Sequence, residues 1–142
     1  MISKFDGNYA FLSNFYECDV MFDGYVFKSS EAAYQAAKCL YIEDRKQFLT
    51  LTPSQAKRKG QKVELRPDWE DIKLNVMESI LIDKFARNYE LAEKLVKTAY
   101  SELVEGNTWG DTYWGVCDGK GENHLGELLM KVRSIFLRLF IL

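Results

Sequence analysis

The second half of the chain repeats its apolar residues with the period of a helix. After Pro67, apolar residues recur every third or fourth position, at Trp69, Ile72, Val76, Met77, Ile80 and Leu81. This spacing predicts a long amphipathic helix that begins at Pro67. A second helix is predicted after Asn88, which can cap it. A third is predicted from about Asn123, with a buried side made of Leu125, Leu128, Leu129, Val132, Ile135, Phe136 and Leu139.

The first part of the chain is predicted to begin with extended structure. The segments YECDVMF and YVF flank Asp23-Gly24, a residue pair that is typical of a tight hairpin turn. Ser30 is predicted to be the N-cap of a helix of about ten residues that starts at Glu31. The sequence therefore predicts a β-hairpin that leads directly into a helix.

A short basic helix is predicted further along, in the segment LTPSQAKRKGQ. Thr52 can cap this helix, Pro53 suits its first position, Gln55 completes a capping box, and Gly60 is predicted to end it. The segment SELVEG is predicted to be a short strand. Together these elements predict a mainly helical α+β fold with a small antiparallel β part, in one domain that spans residues 1–142.

Composition and charge narrow the possible functions. Apolar residues make up 47% of the chain and the net charge is −2, which favours a globular protein without a strong field for nucleic acid or membrane surfaces. The three cysteines, Cys18, Cys39 and Cys117, form no CxxC pair, which is typical of a cytoplasmic protein. No apolar run reaches the roughly 20 residues of a membrane span. Because His124 is the only histidine, no metal site is predicted and catalysis depends on carboxylates, lysines and amides.

The segment SSEAAYQAAKCL carries the first candidate chemistry. On a helix, Glu31, Gln35 and Lys38 share one face, while alanines take the other positions. One interpretation is a solvated polar face. In the other, partial burial raises the pKa of the Glu31 carboxyl for general acid or base catalysis. Burial would also lower the pKa of the Lys38 amine, which could then attack a carbonyl to form a Schiff base.

Two further features leave alternatives open. Lys84 falls at the end of the apolar stripe of the long helix, where it either extends to solvent or reaches into a cleft. The segment TWGDTYWGVCDGKGEN combines tryptophans, aspartates and glycines just before a helix start. Such a loop can stack on a base or sugar and bind phosphate, or it can be a tight structural loop whose tryptophans fill the core.

Several of these segments, in this order, resemble the NADAR (YbiA-like) family over nearly the whole chain. They are FLSNFYECDVMFDGYVFKSSEAAYQAAK, PDWEDIKLNVMESILIDKFARN, KTAYSELVEGNTWGDTYWG and GKGENHLGELLMKVR. The resemblance implies an N-glycosidase without a cofactor. Its implied substrate is either an early riboflavin-pathway intermediate or an ADP-ribosylated guanine in DNA or RNA, so that ADP-ribosylation is reversed. A lysine Schiff base with the sugar is also implied.

The resemblance assigns roles to individual residues. The implied catalytic residues are Glu31, Lys38, Lys84 and Asp111, and the implied substrate-binding residues are Asn14, Gln35, Trp69, Asn88, Trp114, Gly115 and Asn123. One departure concerns the loop, because many members have W-G-D-G where this chain has Trp114-Gly115-Val116-Cys117. Asp111 or Asp118 is expected to substitute for the missing acid. The alternative function is a non-catalytic module that binds ADP-ribose or NAD.

Overall fold

The computed structural model describes residues 1–141 and has a mainly helical α+β fold, which confirms the predicted fold class. The strands are β1 (Glu17–Phe22), β2 (Tyr25–Ser29), β3 (Gly106–Asn107) and β4 (Val116–Cys117). The helices are α1 (Ser30–Ala37), α2 (Ile42–Arg45), α3 (Pro53–Gly60), α4 (Trp69–Arg87), α5 (Tyr89–Lys97) and α6 (His124–Ile141). Two 3-10 helices span Gly7–Leu12 and Lys46–Phe48.

The chain divides into two compact units. The central unit is Asn14–Asn88, which holds β1, β2 and α1 to α4. The terminal unit combines Met1–Ser13 with the residues from Tyr89 onward, and it holds α5, β3, β4 and α6. Across the described residues, no helix is both long enough and apolar enough to cross a membrane. The three cysteines are free thiols.

The central unit starts with the predicted hairpin. β1 and β2 pair antiparallel, with Phe22 opposite Tyr25 and Val20 opposite Phe27. Asp23 and Gly24 both have positive φ, at 52° and 84°. A two-residue turn with both residues in the left-handed region matches the right-handed twist of the strands, which explains why Asp-Gly directs this hairpin.

Helix α1 follows β2 without a break, and its whole length is buried. The N-cap is Ser29, whose side chain accepts a hydrogen bond from the Ala32 amide at 3.1 Å. The prediction of Ser30 as N-cap is therefore wrong by one residue, because Ser29 ends the strand in the extended conformation that an N-cap requires. The helix also ends earlier than predicted, at Ala37. Its alanines keep the helix thin enough to pack against the hairpin, α3 and α4.

Helix α3 confirms its sequence signals. The Thr52 side chain accepts from the Gln55 amide at 3.2 Å, the Gln55 side chain accepts from the Thr52 amide at 3.0 Å, and the helix ends at Gly60. Helix α4 begins at Trp69, two residues later than the predicted start at Pro67. Its predicted apolar positions are buried, except that Ile72 is half-buried.

In the terminal unit, the sequence pattern predicts the position of α6 better than it predicts which of its side chains are buried. The helix starts at His124, next to the predicted start. The helical period correctly predicts five positions of the inner face: Leu128 is half-buried, and the buried ones are Leu125, Leu129, Val132 and Phe136. The prediction that Ile135 and Leu139 are buried is wrong, because these residues are 41% and 59% exposed.

A buried arginine explains part of this difference. Arg133 is 6% exposed and donates hydrogen bonds to the Thr98 hydroxyl at 3.0 Å and the Ser101 carbonyl at 2.8 Å. The buried face of α6 thus includes Arg133, a polar residue that the apolar pattern did not assign to it. The predicted SELVEG strand is reduced to one bridge, between Leu103 and Ile2, and to Gly106 at the start of β3.

An ion pair ties the hairpin turn to the segment after α1. The Arg45 guanidinium is 2.6 Å from the Asp23 carboxylate and 3.3 Å from the Cys39 carbonyl. The Arg45 side chain is 8% exposed, whereas the Asp23 side chain is 49% exposed. Because the Arg45 side chain is buried, loss of the Asp23 charge would leave a buried guanidinium less well paired.

We expect Asp23→Asn to lower the free energy of unfolding by about 1 kcal/mol, because the pair loses a charge while asparagine keeps the turn conformation. Urea unfolding would measure the change. The matched control is Asp118→Asn, since Asp118 is an exposed residue that precedes a glycine and has a φ of 53°. The control should change the stability by less than about 0.5 kcal/mol. Equal losses in both variants would show that the ion pair adds nothing.

Candidate functional site

The polar row of α1 is buried. Glu31 is 8% exposed and Gln35 is 5% exposed. The Gln35 side-chain amide donates a hydrogen bond to the Glu31 carboxylate at 2.6 Å. The interpretation of this row as a solvated face is therefore wrong for its first two members, since α1 packs on several elements at once.

Lys38 lies at the end of the same row and is half-buried. Its amine is 5.5 Å from the centre of the Tyr34 ring. Burial lowers the pKa of the Lys38 amine, and the nearby Glu31 carboxylate partly opposes that effect. The amine is thus closer to its neutral, nucleophilic form than a surface lysine and still has access to solvent.

Trp69 borders this row from α4. The ring centres of Trp69 and Tyr34 are 5.1 Å apart, with an angle of 57° between the ring planes. Trp69 is 4% exposed, so the structure places it in the core next to α1. The central unit thus brings together four of the predicted site residues, namely Glu31, Gln35, Lys38 and Trp69.

Asn14 joins the same region through its backbone. Its carbonyl accepts a hydrogen bond from the Glu31 amide at 3.0 Å, and its side-chain nitrogen lies 3.7 Å from the Met77 sulfur. Among the described residues, the buried side-chain oxygens without a hydrogen-bond partner include Asn14 Oδ1 and Ser30 Oγ near the start of α1, and Gln35 Oε1 in its last turn. Because buried polar atoms are normally paired, Asn14 Oδ1 and Ser30 Oγ are positions where a donor from outside the chain is expected.

Lys84 is fully buried on α4, so the interpretation in which its amine extends to solvent is wrong. The amine is 5.3 Å from the Phe85 ring centre and 5.8 Å from that of Tyr16. Burial lowers the pKa of Lys84 to about 8, and the Cys18 thiol acts in the opposite direction. The predicted site residue Asn88 ties the end of α4 to β1, since its side-chain nitrogen donates to the Lys84 carbonyl at 2.8 Å and the Asp19 carbonyl at 2.9 Å.

The loop of the terminal unit is organised by its own polar side chains. The Asp111 carboxylate accepts from the backbone amides of Trp114 at 2.9 Å and Tyr113 at 3.1 Å. The Asn107 side chain binds the Asp111 backbone on both sides, by donating at 2.9 Å and accepting at 3.0 Å. One oxygen of Asp111 therefore has a structural role in the turn that presents Trp114.

Three other predicted residues of the terminal unit have distinct surroundings. Trp114 is half-buried, and its ring centre is 4.9 Å from that of Tyr113 and 6.4 Å from that of His124. Gly115 is buried, and a Cβ on it would collide with Glu105. Asn123 has a φ of 54° and accepts from the Glu105 amide at 2.9 Å while donating to the Leu103 carbonyl at 3.0 Å. Gly115 and Asn123 thus fix the backbone of the loop.

The position of the expected acid is occupied by strand β4. Val116 and Cys117 pair with β3, and Asp118 is exposed in the following turn. Glu105 joins this loop, although the sequence did not single it out. Its carboxylate accepts a hydrogen bond from the Asn107 side chain at 3.1 Å and lies against Gly115. The only sequence signal for Glu105 is its position as the acid at the end of SELVE, directly before a glycine. Sequence alone does not show that its side chain turns toward the tryptophan loop.

Known proteins resemble this chain over most of its length. Residues 3–137 match the NADAR domain. The chain is 39% identical over 139 residues to a riboflavin biosynthesis protein of Vibrio vulnificus, an alignment that covers 91% of this chain and 36% of that protein. The chain thus spans about a third of that relative's length.

Relatives of similar length carry the name N-glycosidase. The chain is 38% identical over 131 residues to N-glycosidase YbiA of Escherichia coli strain K12, which covers 89% of this chain and 81% of YbiA. The NMR structure of the E. coli protein YbiA superposes with a TM-score of 0.85 at 34% identity, over 99% of this chain and 89% of that one. Fold and sequence therefore agree on the same set of relatives.

The buried charge of Lys84 predicts a pH-dependent stability. The Lys84 amine has a pKa of about 8 in the folded protein and the ordinary lysine pKa of 10.5 in the unfolded chain, so the unfolded state binds more protons between these pH values. The stability of the protein should therefore rise as the pH increases from 8 to 10.5, by about 3 kcal/mol from this group. Below pH 8 the penalty of the buried ammonium is fully present.

Lys84→Met isolates this contribution. We expect the variant to be more stable than the parent chain at pH 7, with a difference that shrinks by about 3 kcal/mol between pH 8 and 10.5. Urea unfolding of both proteins across this range measures it. A difference that stays constant with pH would contradict the assignment, and Lys97→Met, at an exposed lysine of α5, is the control.

Proposed function

Because this chain belongs to the NADAR domain family, we propose that it is an N-glycosidase that hydrolyses the bond between ribose C1 and an amine or base nitrogen. The matched residues form the catalytic domain, which works in the cytoplasm without a cofactor. The observation that carries the proposal is the buried pair of Glu31 and Gln35, with the half-buried residue Lys38 directly after the same helix. This arrangement offers an acid and a nucleophile near the buried oxygens of Asn14 and Ser30, which have no hydrogen-bond partner among the described residues.

The substrate class is a ribosylamine that carries a phosphate or an ADP group. The Vibrio relative is named a riboflavin biosynthesis protein, which favours an early intermediate of that pathway, in which ribose 5-phosphate is attached to an amine. ADP-ribosylated guanine in DNA or RNA is the other member of the class. The net charge of −2 favours the small metabolite, because the chain as a whole would repel a phosphate backbone.

Glu31 and Lys38 divide the chemistry. Protonated Glu31 gives its proton to the ring oxygen, the bond from C1 to that oxygen breaks, and an iminium forms between C1 and the substrate nitrogen. The neutral Lys38 amine then adds to C1. A proton passes from the lysine nitrogen to the substrate nitrogen, the bond from C1 to the substrate nitrogen breaks, and the free amine leaves. Water adds to C1 of the resulting lysine imine, and the bond from C1 to the lysine nitrogen breaks to release the open-chain sugar. The proton left on the Lys38 amine returns to the Glu31 carboxylate, so both groups are regenerated and one water is consumed.

Lys38 suits the nucleophile better than Lys84. Both amines have a pKa lowered by burial, but Lys84 has no exposed surface whereas Lys38 is half-buried. Direct attack of water on an oxocarbenium-like C1, with Glu31 as general base, is the rival path. Within the central unit, Asn14 and Trp69 contribute contacts to the substrate. Asn88 takes this role if Lys84 is the nucleophile.

We expect the purified protein to release ribose 5-phosphate from ribosylamino-pyrimidine intermediates, as followed by mass spectrometry. DNA with ADP-ribosylated guanine is incubated in parallel, and release of ADP-ribose would identify that substrate instead. Glu31→Gln should lower kcat by about a hundredfold or more while binding is kept, because an amide cannot transfer the proton. Glu70→Gln is the control, since this side chain is 75% exposed. If the protein binds ADP-ribose but releases no sugar from either substrate, it is a non-catalytic binding module and the proposed enzyme activity is wrong.

Borohydride separates the two reaction paths. In its presence, we expect a reduced adduct between the sugar and Lys38, located by peptide mass spectrometry. Lys38→Arg should abolish the adduct and keep the charge, because a guanidinium is not nucleophilic. Lys73→Arg, at a neighbouring lysine of α4, should leave the adduct unchanged. Turnover without any adduct would favour direct attack by water, and an adduct on Lys84 would move the nucleophile to α4.

A further inference from the structure

Gly60 makes an unusually close contact with the polar row of α1. It is the last residue of α3, and α3 packs directly on α1. A Cβ built on Gly60 would fall on Gln35 Oε1 and only 2.6 Å from Gln35 Cδ. Contacts of a real Cβ never come that close, so any side chain at position 60 would displace the Gln35 amide.

The backbone does not require glycine at this position. The φ of Gly60 is not positive, and the C-cap residue Gln61 has a right-handed φ of −74°. In a helix interior, alanine is favoured over glycine by about 1 kcal/mol. A glycine that ends a helix normally has a positive φ, which Gly60 does not have. The space that Gly60 leaves for Gln35 is therefore the better explanation of the glycine.

The Gln35 amide is held between two surfaces. On one side its nitrogen donates to the Glu31 carboxylate at 2.6 Å, and on the other side its oxygen lies against Gly60. That oxygen is buried and has no hydrogen-bond partner among the described residues. The amide is thus placed by packing on Gly60 and by one hydrogen bond, and the bond goes to the proposed proton donor.

We propose that Gly60 is a positioning residue for Glu31 and acts through Gln35. The absence of a side chain at position 60 lets the Gln35 amide pack against the end of α3. In this position its N–H donates to the Glu31 carboxylate and fixes the orientation of that carboxylate. This inference rests on the proposed function of Glu31. It makes α3 part of the catalytic arrangement, although none of its residues needs to touch the substrate.

A double-mutant cycle tests the proposal with Gly60→Ala, Gln35→Ala and the double variant. We expect each single variant to lose about tenfold to a hundredfold in kcat with a KM changed by less than threefold, because the orientation of Glu31 matters for proton transfer more than for binding. The double variant should lose no more than either single variant, since the amide through which Gly60 acts is already gone. Gln61→Ala, at the exposed next residue of the chain, is the control and should keep the parental kcat.

Additive losses in the double variant, or an unchanged kcat in Gly60→Ala, would overturn the proposal. If Gly60→Ala does not fold, the urea midpoints decide, because removal of the Gln35 side chain relieves the collision. The double variant should then unfold at a urea concentration no lower than that of Gln35→Ala, because alanine favours a helix at least as well as glycine once the amide is gone. A double variant that also fails to fold would contradict the coupling. This stability cycle needs no substrate, so the contact between Gly60 and Gln35 remains testable if the parent chain shows no N-glycosidase activity.

Discussion

The complete burial of α1 is the constraint on which the central unit depends. A helix that is covered on every side must have small residues wherever another element approaches, and the alanines meet this need. The same burial takes Glu31 and Gln35 out of water, and the Gln35 amide nitrogen donates a hydrogen bond to the Glu31 carboxylate. The packing of an eight-residue helix thus creates the electrostatic environment in which the proposed acid and amine operate.

Local signals predicted the elements well because the relevant physics lies within a few residues. The Asp23-Gly24 turn and the capping box of Thr52 depend on neighbouring backbone groups, and both appear where expected. Burial depends on the partners of a helix, which are distant in sequence. The pattern therefore placed Leu139 inside although it is exposed, and it did not anticipate the buried Arg133.

The sequence predicted which residues belong to the candidate site better than it predicted what each residue does there. The segment that contains Glu31 and Lys38 stood out from the spacing of its polar residues, and the structure shows that this face is largely buried. For Asp111 and Asn123, the resemblance implied a role in catalysis or substrate binding, whereas the contacts found are hydrogen bonds that shape the loop. A carboxylate or amide that stabilises a turn has the same sequence signature as one that binds a ligand, and only its partners separate the two.

The division of the chain into a continuous and a discontinuous unit bears on the order of folding. The central unit is continuous in sequence, so all of its residues have been synthesised once the ribosome has added Asn88. The terminal unit joins the beginning of the chain to a much later part, and its bridge between Ile2 and Leu103 closes a loop of roughly a hundred residues. During synthesis on the ribosome, the central unit can therefore acquire its structure first, while the N-terminal segment waits for its distant partner.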